Sequence, residues 1–223
     1  MEPTQTPHDT VRTEKARPCG SVLANCWTRL ACGELTVLSI HSDEDDYRLM
    51  LRENASGCGP TDKELGSLTR FALGDLQKVV AADLHCSLSR VAGAAARCLQ
   101  RLGVRCQARA LPMPLVMMIH AYYRAGSWAE LTHASLVRGG PKEWVLNVSR
   151  PDTRLAAILS PGESEVIRLL IDGFSHAEIA TSRGTSKRTV ANQVARAYFR
   201  LDVSGRLELM GQLLSSQSSL EAS

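Results

Sequence analysis

Hydrophobic residues in the last third of the chain recur at three- and four-residue spacing. Over residues 187–201 this spacing predicts one helix with a single buried stripe. The residues of that stripe are Val190, Val194, Tyr198 and Leu201. Two shorter helices are predicted before it, at about 160–171 and 175–183, and one after it, at 205–214. The pattern therefore predicts four short helices in succession.

Short polar motifs set the ends of these helices. Ser160 and Glu163, with a proline between them at the first helical position, form a capping box. Ser175 and Glu178 form a second one. Gly173 lies between the two helices, where a residue without Cβ tolerates the left-handed conformation of a helix C-terminus. Each predicted boundary therefore has a physical cause.

The face of the third helix opposite the buried stripe carries Lys187, Arg188, Asn192 and Arg196. The helix has four cationic residues and no carboxylate, so it should bind a polyanion such as DNA phosphate. Positive charge at a helix start opposes the macrodipole, and phosphate contact by Lys187 and Arg188 would offset that cost. The Asn192 amide can pair with adenine in the major groove, which makes it the best candidate for base recognition. The alternative is a solvated surface helix that is merely basic.

The segment 159–209 strongly resembles the LuxR-type helix-turn-helix found at the C-terminus of many bacterial transcription regulators. The residues that carry the resemblance, in family order without gaps, are Leu159, Ser160, Pro161, Glu163, Glu165, Val166, Gly173, Ser175, Glu178, Ile179, Ala180, Ser186, Thr189, Val190, Leu201, Val203, Arg206 and Glu208.

The resemblance implies a role for several of these positions. By this resemblance, Thr189 contacts a phosphate and the side chains at positions 191, 192 and 195 face the bases. The helix after Ser204 supports dimerisation. Together with the basic face, the candidate DNA-contacting residues are Lys187, Arg188, Thr189, Ala191, Asn192, Gln193, Ala195 and Arg196. Four departures from the family remove phosphate contacts: Ala177 and Ala191 where lysine is frequent, Gln193 for histidine and Gly162 for arginine.

The chain also repeats itself. Residues 61–104, here the first copy, align with residues 160–203, the second copy, at a constant shift of 99 without insertion. The identical pairs include Glu64 with Glu163, Gly74 with Gly173, Ser87 with Ser186, Val91 with Val190, Arg97 with Arg196, and Arg101 with Arg200. Two strand-like runs precede each copy and predict a β-hairpin, at 35–40 with 47–52 and at 132–138 with 143–149.

The two copies differ on the candidate DNA-binding face. The first copy has Leu88, Ser89, Gly93 and Ala94 where the second has Lys187, Arg188, Asn192 and Gln193. Glycine in mid-helix costs roughly 1 kcal/mol relative to alanine and offers no side chain to a base. The first copy is therefore interpreted as a degenerate domain, whose alanine-rich third helix suits close packing.

The predicted fold is mainly α with small β-hairpins (α+β), in two tandem units. We expect a disordered N-terminus at 1–20, a first unit at 21–125, a second unit at 126–214 and a disordered tail at 215–223. Each unit is a β-hairpin followed by four helices, and 112–125 would hold the fourth helix of the first. The fourth helices are expected to form either an intramolecular pseudo-dimer or a normal homodimer contact.

Composition indicates an ordinary globular protein. Hydrophobic residues make up 44% of the chain, charged residues 22%, and the net charge is +3, so DNA binding must be local to one face. The longest apolar run, 111–123, is too short to cross a bilayer, and the N-terminus has no apolar signal core, which predicts a cytoplasmic protein. The seven cysteines include no CxxC pair, and the histidines are scattered. We expect no cofactor, no metal and no enzymatic activity.

These observations predict a sequence-specific DNA-binding transcriptional regulator whose third helix in the second copy, about 187–200, enters the major groove of double-stranded DNA. The alternative is an interaction module that keeps the fold without binding DNA and contacts RNA polymerase or another regulator. The departures at Ala177 and Ala191 favour the alternative, whereas the cationic helix and Asn192 favour DNA.

Overall fold

The computed structural model describes residues 19–55, 57–106, 110–123, 133–151 and 155–215. The first half contains α1 (Cys19–Ala31), β1 (Leu35–Ser42), β2 (Asp46–Glu53), α2 (Asp62–Ala72), α3 (Gln77–Asp83), α4 (Leu88–Arg101) and α5 (Met113–Tyr123). The second half contains β3 (Ala134–Gly140), β4 (Glu143–Ser149), α6 (Leu155–Ile158), α7 (Pro161–Ile171), α8 (His176–Ser182), α9 (Lys187–Arg200) and α10 (Arg206–Ser215). The fold is mainly helical, with two hairpins each followed by helices, as predicted.

The helices of the two copies correspond residue for residue. α2, α3 and α4 begin at 62, 77 and 88, and α7, α8 and α9 begin at 161, 176 and 187, a constant shift of 99. Both copies open with a capping box, in which Glu64 accepts from the backbone N–H of Thr61 and Glu163 accepts from that of Ser160, each at 3.0 Å. The repeated sequence therefore forms the same three helices in both copies.

The two hairpins join in one four-stranded antiparallel sheet of order β1-β2-β4-β3. β2 pairs with β4, and at the middle of that pairing Leu49 lies opposite Leu146. Antiparallel pairing of the second strand of each hairpin relates the two hairpins by an approximate twofold axis. The sequence predicted the hairpins separately and did not predict that they pair.

One hydrophobic core runs through both halves of the described chain. It contains Trp27 of α1, Tyr47 of β2 and the apolar side chains of α5 between Met113 and Ala121, as well as the buried faces of α7 and α9. The fourth helices α5 and α10 are in contact, and α5 packs most extensively on α1. Trp27 is fully buried in this core, whereas Trp128 lies outside the described residues.

Two arginines fasten the second half to the first. Arg150 is buried, pairs with Asp172 at 3.1 Å, and stacks over the Tyr47 ring at 4.5 Å. The guanidinium of Arg206 donates to the carbonyls of Leu111 and Ile171, and burial lowers its pKa to about 10. The two sequence units are therefore packed as one body among the described residues.

Several expectations need correction. Residues 19–31 form helix α1, which overlaps the predicted disordered stretch 1–20 at Cys19 and Gly20, and α10 extends to Ser215, the first residue of the predicted tail. Cys86 is half-buried in the turn between α3 and α4, whereas Cys98 is buried. The rest of the expected disordered termini, 1–18 and 216–223, lies outside the described residues.

Candidate nucleic-acid interface

α8, a tight turn and α9 form the helix-turn-helix of the second copy. Gly184 takes a positive φ of 62° in that turn, where a left-handed residue is needed to redirect the chain. The Ser186 hydroxyl then caps α9 by accepting the backbone N–H of Thr189 at 3.0 Å. α9 packs against both α7 and α8, which fixes its orientation.

α9 presents two opposite stripes. Val190, Val194 and Ala197 are buried against the core, while Tyr198, predicted to belong to this stripe, is only half-buried. The opposite stripe follows the spacing i, i+4, i+7 and i+11 and is exposed along its whole length. Its members are Arg188, Asn192, Ala195 and Phe199.

The polar side chains at the start of α9 are exposed and available for external contacts. Lys187, Arg188 and Asn192 are exposed, and none forms a hydrogen bond or salt bridge within the part of the chain that the structure describes. α9 has no acidic residue in its first turn, so the two cations are not neutralised locally. These three groups are therefore free to bind an external anion and a base edge.

Arg196 and Arg200 belong to a different arrangement. Arg200 pairs with the buried carboxylate of Glu163 at 2.8 Å, and Arg196 acts on the same carboxylate electrostatically. In the first copy, Arg97 and Arg101 both pair with Glu64 at 3.1 Å. Since both copies keep this arrangement, the cation at position 196 serves the helix packing as well as the exposed face.

The Glu163 carboxylate is held in its charged form. Hydrogen bonds from the hydroxyl and the backbone N–H of Ser160, followed by the charges of Arg200 and Arg196, hold its pKa below the ordinary value despite burial. The Glu64 pKa is lowered in the same way, chiefly by the backbone N–H of Thr61. An anionic link of this kind orients α9 against α7.

Three further predicted site residues lie at the edge of the exposed stripe. The Gln193 amide oxygen accepts from Arg183 at 2.7 Å, and Arg183 also pairs with Glu165 at 3.0 Å. Thr189 is exposed, and its hydroxyl lies 2.9 Å from that of Ser186. Ala191 is half-buried. Gln193 is thus engaged inside the domain, whereas Thr189 faces outwards beside the cations.

Phe199 is a surface residue that the sequence analysis missed. Its side chain is 88% exposed, the highest value among the large apolar residues that the structure describes. It lies on the same stripe as Asn192, two turns further along α9. The helical spacing from Arg188 through Asn192 contained the information needed to find it.

Neither metal nor thiol chemistry stands out beside this surface. In the described ranges no three His, Cys, Asp or Glu side chains cluster as metal ligands. Burial raises the pKa of Cys26 and of Cys98 to about 12, which keeps both thiols protonated. None of the helices in those ranges is long and apolar enough to span a membrane.

Residues 153–201 match the family model described as Sigma-70, region 4. They form a helix-turn-helix domain of the sigma-70 region 4 type. This is a DNA-binding domain of transcription, typically non-enzymatic, and it is related to the LuxR-type helix-turn-helix. The match covers α6 to α9 and includes neither α10 nor the first copy. No curated protein and no solved structure matches the chain.

Proposed function

We propose that this protein is a sequence-specific transcriptional regulator that inserts α9 of the second copy into the major groove of DNA. The main support is that Lys187, Arg188 and Asn192 are exposed and form no hydrogen bond or salt bridge among the described residues. They lie on a helix within the segment that matches a DNA-binding domain family. Phosphate contacts supply affinity and orientation, whereas base contacts supply specificity. These three side chains include groups for both tasks.

The proposed roles follow from the chemistry of each side chain. Lys187 and Arg188, with Thr189 beside them, bind phosphate oxygens at the mouth of the groove. Asn192, one turn further on, donates to N7 and accepts from N6 of an adenine. Phe199 extends the stripe, and an aromatic ring suits apolar contact with a thymine methyl group.

Only the second copy is proposed to recognise DNA. At the positions of Lys187, Arg188 and Asn192 the first copy has Leu88, Ser89 and Gly93. These groups provide neither phosphate charge nor a bidentate amide. We propose that the two copies form a LuxR-like pseudo-dimer within one chain, and the paired hairpins and the contact between α5 and α10 support this arrangement. One chain would then bind one short half-site.

The test is selection of bound duplexes from random DNA with the full chain, followed by affinity measurements on the enriched sequence. The expected result is one enriched motif. Asn192→Ala should relax one base position at a cost of about 1 to 3 kcal/mol. Absence of any enriched motif would sink the proposal.

A salt titration separates phosphate contacts from base contacts. Lys187→Ala/Arg188→Ala should weaken all sequences alike and reduce the slope of log affinity against log salt by about 2. Arg90→Ala, which removes an exposed cation of the first copy at the position of Thr189, is the matched control and should leave the slope unchanged. If Asn192→Ala lowers the affinity for every DNA sequence equally, Asn192 contacts a phosphate and not a base.

The second candidate function is an interaction module that has kept the fold and lost DNA binding. It is favoured by Ala191 and Ala195, which offer no polar group at two positions of the candidate surface, and by the engagement of Gln193 with Arg183. This alternative predicts that DNA binding is weak, independent of sequence and unaffected by Asn192→Ala.

A further inference from the structure

The first copy exposes a set of large apolar side chains around α3 and the start of α4. Leu76 is 71% exposed, and Val79, Leu84 and Leu88 are each between 43% and 45% exposed. The side-chain amide of Gln77 donates to the carbonyl of Leu88 at 2.7 Å, which brings the starts of the two helices together. We call these four residues the α3 patch.

The second copy has a polar residue at every equivalent position. The pairs are Leu76 with Ser175, Val79 with Glu178, Leu84 with Arg183, and Leu88 with Lys187. Because the helices of both copies have the same bounds, this backbone does not require apolar residues at these surface positions. The four exchanges therefore have a cause outside the fold of the copy itself.

The α3 patch also has a local cost. Leu76 is the N-cap of α3 and makes no side-chain capping bond, whereas Ser175 caps α8 and accepts from the backbone N–H of Glu178. Loss of such a cap destabilises a helix by about 1 kcal/mol. A leucine at a cap, 71% exposed, is unfavourable for the isolated chain and is explained if a partner covers it.

The charges around the α3 patch indicate the chemistry of that partner. Arg70 pairs with Asp75 at 2.6 Å and with Asp83 at 2.7 Å, so these two carboxylates are neutralised within the chain. Lys78 and Arg90 are exposed and have no acidic partner among the described residues. The unpaired charge that borders the patch is therefore positive, and it complements an acidic partner.

We propose that the α3 patch binds an amphipathic helix of a partner protein, with apolar side chains towards Leu76, Val79 and Leu88 and acidic side chains towards Lys78 and Arg90. The patch consists of helices and a turn without a strand edge, so strand addition is not available to it. An apolar patch on a helical surface suits the apolar face of an amphipathic helix, which is a recurring peptide-recognition mode. The first copy thereby serves as the protein-binding member of the pair.

The test uses the full chain and a library of displayed helical peptides, followed by fluorescence anisotropy with the selected peptide. The expected consensus has apolar residues at i, i+4 and i+7 with glutamates or aspartates beside them. Leu76→Ser/Val79→Glu, which introduces the second-copy residues, should weaken binding at least about tenfold. Lys78→Glu should weaken the same peptide and leave a variant with lysines in place of its carboxylates unaffected or tighter.

The variant with second-copy residues needs two controls, and three outcomes would contradict the proposal. Circular dichroism should show Leu76→Ser/Val79→Glu as folded as the wild type, since Ser restores a cap, and affinity for DNA should not change. The proposal is overturned if no acidic apolar helix is selected, or if the patch variant binds the selected peptide as the wild type does. Concentration-dependent dimers that disappear in the patch variant would instead make a second copy of this chain the occupant.

Discussion

At the scale of single residues, Glu163 links helix capping to the placement of α9. Its carboxylate accepts from Ser160 at the start of α7 and from Arg200 at the end of α9. Its folded-state pKa is lowered, so folding favours the charged form. This contribution to stability is complete above the ordinary pKa of 4.5 and is lost as the pH falls through the lower folded value.

We therefore expect Glu163→Gln to lower the free energy of unfolding at neutral pH and to make its decline below about pH 4.5 shallower. Glu64, Glu178 and Glu208, whose pKa values are also lowered, should keep part of the decline. Urea denaturation at a series of pH values measures both effects. Glu165→Gln, at an exposed carboxylate, is the control, and an acid dependence of Glu163→Gln parallel to the wild type contradicts the account.

Phe199 gives a second prediction at this scale. Phe199→Gln introduces the residue that occupies the matching position of the first copy, Gln100, and removes the ring from the exposed stripe. The free energy of unfolding should stay within about 0.5 kcal/mol, because the ring is a surface group. Selection of DNA sequences should lose preference for thymine at one position. An unchanged selected motif would show that Phe199 does not contact bases.

The sequence identified the exposed residues of α9 better than their partners. Helical spacing was enough to place Lys187, Arg188 and Asn192 on the outer face. It could not show that Gln193 is engaged by Arg183, or that Glu163 attracts Arg196, since those partners lie on other helices. Contacts between helices depend on crossing geometry, which periodicity along one helix does not contain.

At the scale of elements, the caps and glycines fixed the helix bounds. The capping boxes at Ser160 and Ser175 and the glycine at 173 placed α7 and α8 correctly from the sequence alone. α1 was not predicted, although Leu23, Cys26, Trp27 and Leu30 follow helical spacing. Helices without a polar cap motif are the harder ones to recognise.

Two equivalent glycines separate backbone conformation from steric contact. Gly74 and Gly173 both have positive φ, 97° and 107°, but an added Cβ meets nothing at Gly74 and the carbonyl oxygen of Ala110 at 3.0 Å at Gly173. Gly74→Ala should cost about 1 to 3 kcal/mol through the backbone alone. Gly173→Ala should cost more, measured by chemical denaturation of both variants. If both variants lose the same free energy of unfolding, the backbone at Ala110 moves away from the added Cβ without destabilising the protein.

At the scale of the whole molecule, the two halves share one sheet and one core. No local pattern predicts that β2 pairs with β4, because both hairpins look complete in the sequence. The pairing depends on residues far apart in the chain, such as Ser149, whose hydroxyl donates to Asp46 at 3.0 Å. The repeat therefore predicted the parts, and the tertiary packing determined how they combine.

Substitution of Asp172, which forms a buried ion pair with Arg150, tests how the two halves are held together. Asp172→Ala should remove the Asp172 carboxylate from the buried Arg150 guanidinium and destabilise the protein by about 3 to 5 kcal/mol. Glu143→Ala breaks the exposed ion pair with Arg52, which also joins the two halves, and should cost less than about 1 kcal/mol. Thermal unfolding should remain a single transition in both variants. Two separate transitions in the wild type would contradict a shared core.

We propose that one chain recognises DNA through α9 of the second copy alone. Hydroxyl-radical footprinting of the full chain on its selected sequence tests this most directly, at protein concentrations where sedimentation shows a monomer on the duplex. The account predicts one protected segment confined to a single half-site, lost when Lys187, Arg188 and Asn192 are replaced by the first-copy residues Leu, Ser and Gly. Two protected segments about one helical turn apart, or protection that survives this replacement, would contradict it.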